Sequence, residues 1–293
     1  MRRELVDALV AATNSPGPGL AEAALVIARI EYPKLDTERY LRMLDAMGHA
    51  AHRVIEKETA ESGDRSTLAR IKAFNNYLFE DLQFAGVASE RYEDPRNSCL
   101  NEVLDQRTGI PITLSLVYME VGRRAGLRID VVNFPGHFLV RCPEVGGRGN
   151  SGLIVDPFNG GALLSEHDCR VLLQKYVEDK VAFSRSLLAP TTRQQIVTRM
   201  LINLKHVYVK MRSFPQARDV TELLLALTPS ALSELRDRGL LAYHLNDVTG
   251  ALRDLQTYLK LSSMSEMDKE ARQEHEQIWE HVKTLRRRVA SLN

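Results

Sequence analysis

The sequence predicts an α+β protein: a mainly helical N-terminal part leading into a core of one helix and an antiparallel sheet, then a C-terminal α-helical repeat domain. Three observations carry this. The first hundred residues set apolar side chains at helical spacing; beyond Asp94-Pro95 a Gly-Ile-Pro turn, a helix and short alternating runs follow; beyond Pro190 a 34-residue period begins. The expected domains are 1–190 and 191–293, and 293 residues suffice for about two cores.

Leu20 to Ile30 is apolar at helical spacing and closes at Tyr32-Pro33; Asp36 is placed to cap a helix from about Thr37 to Glu58. Glu61-Ser62-Gly63-Asp64 reads as a loop, after which Ile71, Phe74, Asn75 and Leu78 resume a helical face. Asn97 to Gln106 reads as a short helix and Arg107-Thr108-Gly109 as a turn. Pro111 suits the first position of the next helix, where its missing N–H would lack a partner anyway. Leu114, Val117, Tyr118 and Val121 fall on one face of that helix, with Glu120, Arg123 and Arg124 largely off it, and Gly126 ends it. Leu127 to Val131 alternates as a strand. His137 to Cys142 and Leu153 to Val155 form an antiparallel hairpin across the Gly146-Gly147-Arg148-Gly149-Asn150 loop. Ser165 with Asp168 is a capping-box-like helix start.

In the last third, Tyr208, Ala217 and Pro229 are answered 34 residues later by Ala242, Ala251 and Ser263. That is the period of tetratricopeptide helix pairs, in which a small alanine lets two helices approach closely. A plain helical hairpin domain is the alternative. Helices around Met267 to Leu285 would extend the stack.

Composition excludes several classes. Hydrophobic content of 44% with 26% charged is that of a globular chain, and 39 basic against 38 acidic residues gives a formal charge of +1, which offers no general attraction to nucleic acid or an anionic membrane. Arg286-Arg287-Arg288 reads as a solvated last helical turn. Cys99, Cys142 and Cys169 are an odd number without CxxC spacing, arguing against disulfides and structural zinc. The N-terminal apolar stretch is broken by Asp7 and runs into Asn14-Ser15-Pro16-Gly17-Pro18-Gly19, and no segment reaches about 18 uncharged apolar residues. A cytoplasmic location is expected. His137, Asp156 and His167 lack short metal-ligand spacing, so neither metal nor cofactor is expected.

The pattern that carries chemistry is a glycine turn, a helix, a strand with His137 and a neighbouring strand ending near Asp156. A cysteine at the helix start would gain thiolate character from the helix N-terminus, a histidine would take its proton, and an aspartate would hold the imidazole tautomer. The stretch from Asn97 to Gly161, "NSCLNEVLDQRTGIPITLSLVYMEVGRRAGL" through "PGHFLVR" and "IVDPFNGG", together with "ALVIARIEYPKLD", resembles the transglutaminase-like domain of the bacterial SirB-one type, whose members carry tetratricopeptide-like repeats after it. The resemblance implies a papain-like helix and sheet core. It also implies that the nucleophile's place falls at about Pro111, and that the SirB-one type as a group shares this replacement.

Other residues are poor substitutes. Thr113 is rotated about 200° from Pro111, Ser115 lies roughly 6 Å further along the axis, and Cys142 faces the other side of the His137 strand roughly 16 Å away. Cys169 belongs to a later helix. Cys99 stays open, as a buried apolar cysteine or as a nucleophile packed beside the Gly109 turn. His137 and Asp156 read either as a hydrogen-bonded core pair or as a retained site that binds a peptide or amide group. Asn97, Asn101 and Arg107, in the motif before the turn, are candidates for binding a main chain or a carboxylate, or for capping helices. Two functions follow. One is a non-catalytic transglutaminase-like regulatory or protein-interaction protein, binding a protein or peptide through the cleft and the helical repeats. The other is a cysteine-type peptidase, amidase or acyl transferase using His137 and Asp156 with an unrecognised nucleophile such as Cys99.

Overall fold

The computed structural model describes residues 2–15, 19–144, 152–177, 181–262 and 269–290. The Gly146 to Asn150 loop, Ser263, Met267 and Pro16 to Pro18 lie outside the described residues. The chain divides into two compact units, residues 11–200 and residues 201–293 together with 1–10.

Twelve helices and six strands follow in chain order among the described residues. After α1 (Arg2–Asn14) and α2 (Leu20–Ala28), apolar but for Glu22, α3 (Thr37–Ser62) starts where Asp36 accepts from the Arg39 N–H and stops at Gly63, whose φ of 71° is left-handed. The helix thus overruns the expected loop at Glu61-Ser62. In α4 (Thr67–Asn75) the winding then widens to a π-turn over Asn76–Asp81, which buries three consecutive residues, Tyr77, Leu78 and Phe79. A regular amphipathic helix cannot turn three neighbours inward together. The short β1 (Ala85–Gly86) pairs in parallel with β2 (Thr108–Gly109) on either side of α5 (Leu100–Gln106), a small sheet the sequence pattern does not announce.

Pro111 occupies the first turn of α6 (Pro111–Arg124), as its missing N–H suits. Every residue from Pro111 to Gly122 is buried, so α6 is the centre of its unit and not the amphipathic surface helix that Leu114, Val117, Tyr118 and Val121 suggested. Glycine explains how it is enclosed. A Cβ on Gly48 of α3 would fall 2.2 Å from Arg124 Cβ, and one on Gly122 would fall 2.3 Å from Ile129 Cδ1. Glu120, expected off the buried face, is 1% exposed and is held by Arg124, which also binds Asp45 at 2.7 Å. Burial pushes the Glu120 carboxyl pKa up while Arg124 opposes the shift.

Gly126, at φ 83°, ends α6, and an antiparallel sheet follows in the order β3 (Asp130–Val132), β4 (Leu139–Pro143), β5 (Gly152–Asp156), β6 (Ala162–Leu164). The β4–β5 hairpin pairs Val140 with Val155 and Cys142 with Leu153. β3 is shorter than the Leu127 to Val131 run because Leu127 still bonds back to the Gly122 carbonyl. α7 (Glu166–Val177) begins at Ser165, which bonds Asp168 reciprocally as a capping box, and packs Cys169 and Leu173 against Val132, Phe134 and Leu139. α8 (Arg193–Lys210) closes this part of the chain.

In the second unit, α9 (Phe214–Leu227) and α11 (Val248–Leu261) begin and end 34 positions apart, as do the ends of α8 and of α10 (Leu232–His244). The turns repeat too: Arg212 and Asn246 both take a φ of 57°. Ala217 and Ala251 are fully buried, and Gly239 sits so close to Leu255 that a Cβ would meet its Cδ2 at 2.6 Å. α12 (Lys269–Ala290) adds Ile278, Val282 and Leu285 to the core formed by Ala242, Leu255 and Tyr258. Among the described residues no helix is long and apolar enough to cross a membrane.

Candidate functional site

His137 lies in a turn two residues before β4, its N–H bonded to the Phe134 carbonyl, and not within the strand as its alternation suggested. Asp156 is the last residue of β5. The antiparallel pairing brings them together: His137 Nε2 lies 3.0 Å from both carboxylate oxygens of Asp156, with both side chains buried. Asp156 also caps the short 3-10 turn Pro157–Asn159. It accepts the Phe158 N–H at 3.1 Å, the Asn159 N–H at 3.3 Å and the Asn159 side-chain amide at 2.7 Å. With the carboxylate accepting throughout, Nε2 is the nitrogen that donates to Asp156, and in the neutral ring Nδ1 is then the lone-pair acceptor. Nδ1 is buried and has no hydrogen-bond partner among the described residues.

Aromatic rings enclose the pair. Tyr176 of α7 stacks on the imidazole at 5.3 Å and 12°, and Phe158 meets it edge-on at 5.8 Å. Gly136, at φ 72°, permits the closure, because a Cβ there would lie 2.3 Å from Tyr176 Cβ. Behind Asp156, the Asn75 amide donates to the Gly161 carbonyl at 2.7 Å and accepts from the Tyr118 hydroxyl at 2.8 Å. Sequence reasoning missed Tyr176, Phe158, Asn159 and Asn75. Only the Asp156-Pro-Phe-Asn-Gly-Gly161 run carried a signal, that of an Asx-type turn.

The remaining candidates sit elsewhere. Cys99 is fully buried at the start of α5 and donates from Sγ to the Pro95 carbonyl at 3.6 Å. Burial, with Glu31, Glu102 and Asp94 adding to it, pushes its thiol up to about 12. Burial likewise raises Cys142 to about 12 and Cys169 to about 11. Asn97 donates to the Arg91 carbonyl and lines a polar pocket of about 140 Å³ with Asp94, Arg96 and Glu102. Asn101 is 2% exposed, and its Oδ1 has no partner among the described residues. Arg107 takes a left-handed φ of 59° at the end of α5 and lays its guanidinium over the Phe84 ring at 4.9 Å. None of these four is bonded to His137 or Asp156 among the described residues. Thr113 Oγ1 accepts the Ile110 N–H and donates to the Asn97 carbonyl, so it caps α6; Ser115 Oγ is buried and has no partner among the described residues. His167 is exposed on α7, and among the described residues no group of three His, Cys, Asp or Glu side chains could hold a metal ion.

A buried helix packed on an antiparallel sheet, a His–Asp pair at the strand ends and helix pairs at 34-residue spacing define a transglutaminase-like domain joined to tetratricopeptide-like repeats. The transglutaminase-like superfamily matches residues 38–202, and the tetratricopeptide repeat matches residues 204–280. A UPF0162 protein of Xylella fastidiosa is 37% identical over 245 residues, 83% of each chain, and one of Vibrio cholerae is 27% identical over 205 residues, 70% of this chain and 74% of the other. The chain belongs to the transglutaminase-like superfamily and to the UPF0162 proteins. Mouse F-box only protein 21 is 29% identical over 202 residues, 64% of this chain but 31% of its own length. No solved structure matches the chain.

Proposed function

We propose that this is a non-catalytic transglutaminase-like regulatory protein of the SirB-one type, acting in the cytoplasm by binding a protein or peptide through the transglutaminase-like cleft and the helical repeats. The domains would be 1–190 and 191–293, with His137 and Asp156 retained to shape the cleft and Asn97, Asn101 and Arg107 as binding candidates. One observation carries the non-catalytic reading: Pro111 stands at the expected nucleophile position, and all three thiols are buried and hard to ionise. Tetratricopeptide-type stacks offer concave surfaces for peptides or helices, which supports the binding role. The F-box only relative supports it as well, since the matched region occurs there within a longer chain.

The competing reading is a peptidase, amidase or acyl transferase using His137, Asp156 and a nucleophile such as Cys99. It draws on the bare, buried Nδ1 of His137, the nitrogen left to take a proton. Treating the native chain with iodoacetamide across pH 5 to 9 and locating the adduct by mass spectrometry separates the two. Slow labelling of all three thiols, unchanged in His137→Ala, is expected. Fast labelling of Cys99 below its ordinary pKa of about 8.5, lost in His137→Ala, would overturn the proposal.

A further inference from the structure

Arg199, in the first half of α8, differs from three other partly buried arginines, Arg124, Arg236 and Arg238. Arg124 is paired with Asp45 and Glu120, Arg236 with Asp237 and Glu274, and Arg238 with Asp254. Arg199 has no carboxylate partner among the described residues. One of its terminal nitrogens donates to the Asn133 side-chain oxygen at 3.0 Å, and its guanidinium carbon sits 5.5 Å from the Phe138 ring centre, which fixes its plane. Its other donors are not buried, so they face solvent. Burial lowers the Arg199 pKa, and the Tyr92 hydroxyl is the group that opposes the shift.

Tyr92 connects this arginine to the His137 site. Its hydroxyl lies within electrostatic reach of both Arg199 and Tyr176, and its ring meets Phe158 edge-on at 6.4 Å. Tyr92 is 43% and Tyr176 38% exposed, while the Lys175 ammonium stands 5.5 Å from the Tyr176 ring centre. The result is a cation with a fixed plane and open donors, with the Tyr92 hydroxyl within electrostatic reach and the Tyr92 ring against Phe158, which in turn meets His137. A planar guanidinium with free donors matches a carboxylate's two oxygens, and aromatic faces favour the organic group beside it over a bare ion.

We propose that Arg199, oriented by Asn133 and the Phe138 ring, binds a carboxylate of a peptide segment, either a C-terminus or an acidic side chain, with the adjacent residue laid against the exposed rings of Tyr92 and Tyr176. This rests on the binding role proposed above and names the chemistry of the partner.

Phenylglyoxal, which reacts with unpaired guanidiniums, tests it on the native full-length chain, with adducts located by mass spectrometry. Arg199 is expected to react at least about tenfold faster than Arg124 or Arg238, the factor one charge-assisted hydrogen bond supplies. N-acetylphenylalanine should protect it with saturation in the millimolar range that so small a ligand can reach, and its neutral amide should not. Protection by N-acetylglutamate α-amide as well would assign acidic side chains; protection by N-acetylphenylalanine alone would assign C-termini. Asn133→Asp, at an exposed position, places a carboxylate against Arg199 and should abolish both the fast reaction and the protection. The proposal falls if Arg199 reacts no faster than the paired arginines, if no carboxylate protects up to about 10 mM, or if inorganic phosphate protects better than either acid. The cysteine labelling above reads the non-catalytic role separately, so either idea can fail alone.

Discussion

Replacing Asp156 separates a structural pair from a dispensable one. The carboxylate accepts from His137 Nε2, two backbone N–H groups and the Asn159 amide, at 2.7 to 3.3 Å, with its side chain 2% exposed. Asp156→Ala leaves those donors buried and unpaired, which costs about 3–5 kcal/mol. Asp156→Asn keeps one acceptor oxygen, and Asn159 can turn its amide to face the new NH2. The expected cost is then about 1.5–3 kcal/mol, one hydrogen bond to a charged group. The lone tryptophan, Trp279, belongs to residues 201–293 and would not report the loss. Hydrogen exchange at the peptides holding β4 and β5 does report it: protection should fall by about one to two decades for Asn and about two to four for Ala, at about 1.4 kcal/mol per decade. If both variants stay within about 0.5 kcal/mol of the parent, or if Ala is no worse than Asn, the network does not hold the sheet end together.

Four further outcomes follow from named contacts. Gly136→Ala combines a left-handed φ with a 2.3 Å clash at Tyr176 Cβ, so it should cost about 1–3 kcal/mol and expose His137 to diethylpyrocarbonate; unchanged His137 reactivity would mean that the tyrosine does not shield it. Lys205, 5% exposed and bonded to Glu234 at 2.7 Å and Asp237 at 2.7 Å, leaves a buried carboxylate when changed to Met. A loss of about 3–5 kcal/mol should appear in urea unfolding followed by Trp279 fluorescence, and a loss below about 1 kcal/mol would refute the pairing. Cys99 and Cys142 are raised from 9.0 to about 12, so the unfolded chain releases their protons first: their contribution is full below about pH 9 and drains away as pH climbs to about 12. The double alanine variant should flatten that alkaline loss of stability, and an unchanged slope would refute the assignment. Finally, Pro111→Cys puts a thiol in the first turn of α6, where the helix end favours a thiolate. Iodoacetamide should modify it at a pH below about 8.5 in a His137-dependent manner, and ordinary thiol behaviour would refute placing the nucleophile position there.

Local chemistry was legible wherever one residue type forces one geometry. Asp36 and Ser165 mark helix starts, Gly126 a stop, Pro111 a first turn, and the 34-residue period reproduces helix ends and the left-handed turns at Arg212 and Asn246. His137 and Asp156 were legible as a pair because alternation put them on neighbouring strands. Enclosure was not legible. Nothing around Glu120 signals that α6 is surrounded, since this depends on Gly48 and Gly122 admitting neighbours distant in sequence. Tyr176 reads as an ordinary helical residue until Gly136 gives it room, and β6 has only three residues, too few to show a period.

The Asn75 amide has a consequence for the order of assembly. One side of it receives Tyr118, 43 residues on, and the other side binds Gly161, 86 residues on. During synthesis the N-terminal helices can collapse early around Phe74 and Leu78, but this amide must wait for its last partner through the making of α6 and the first three strands of the sheet. Contacts spanning such lengths close slowly, because the loop entropy is lost before the bond is gained. The backing of the His–Asp pair is therefore among the last parts of its unit to set, and a chain released before Gly161 would hold Asn75 and Tyr118 with nothing to fasten the turn behind Asp156.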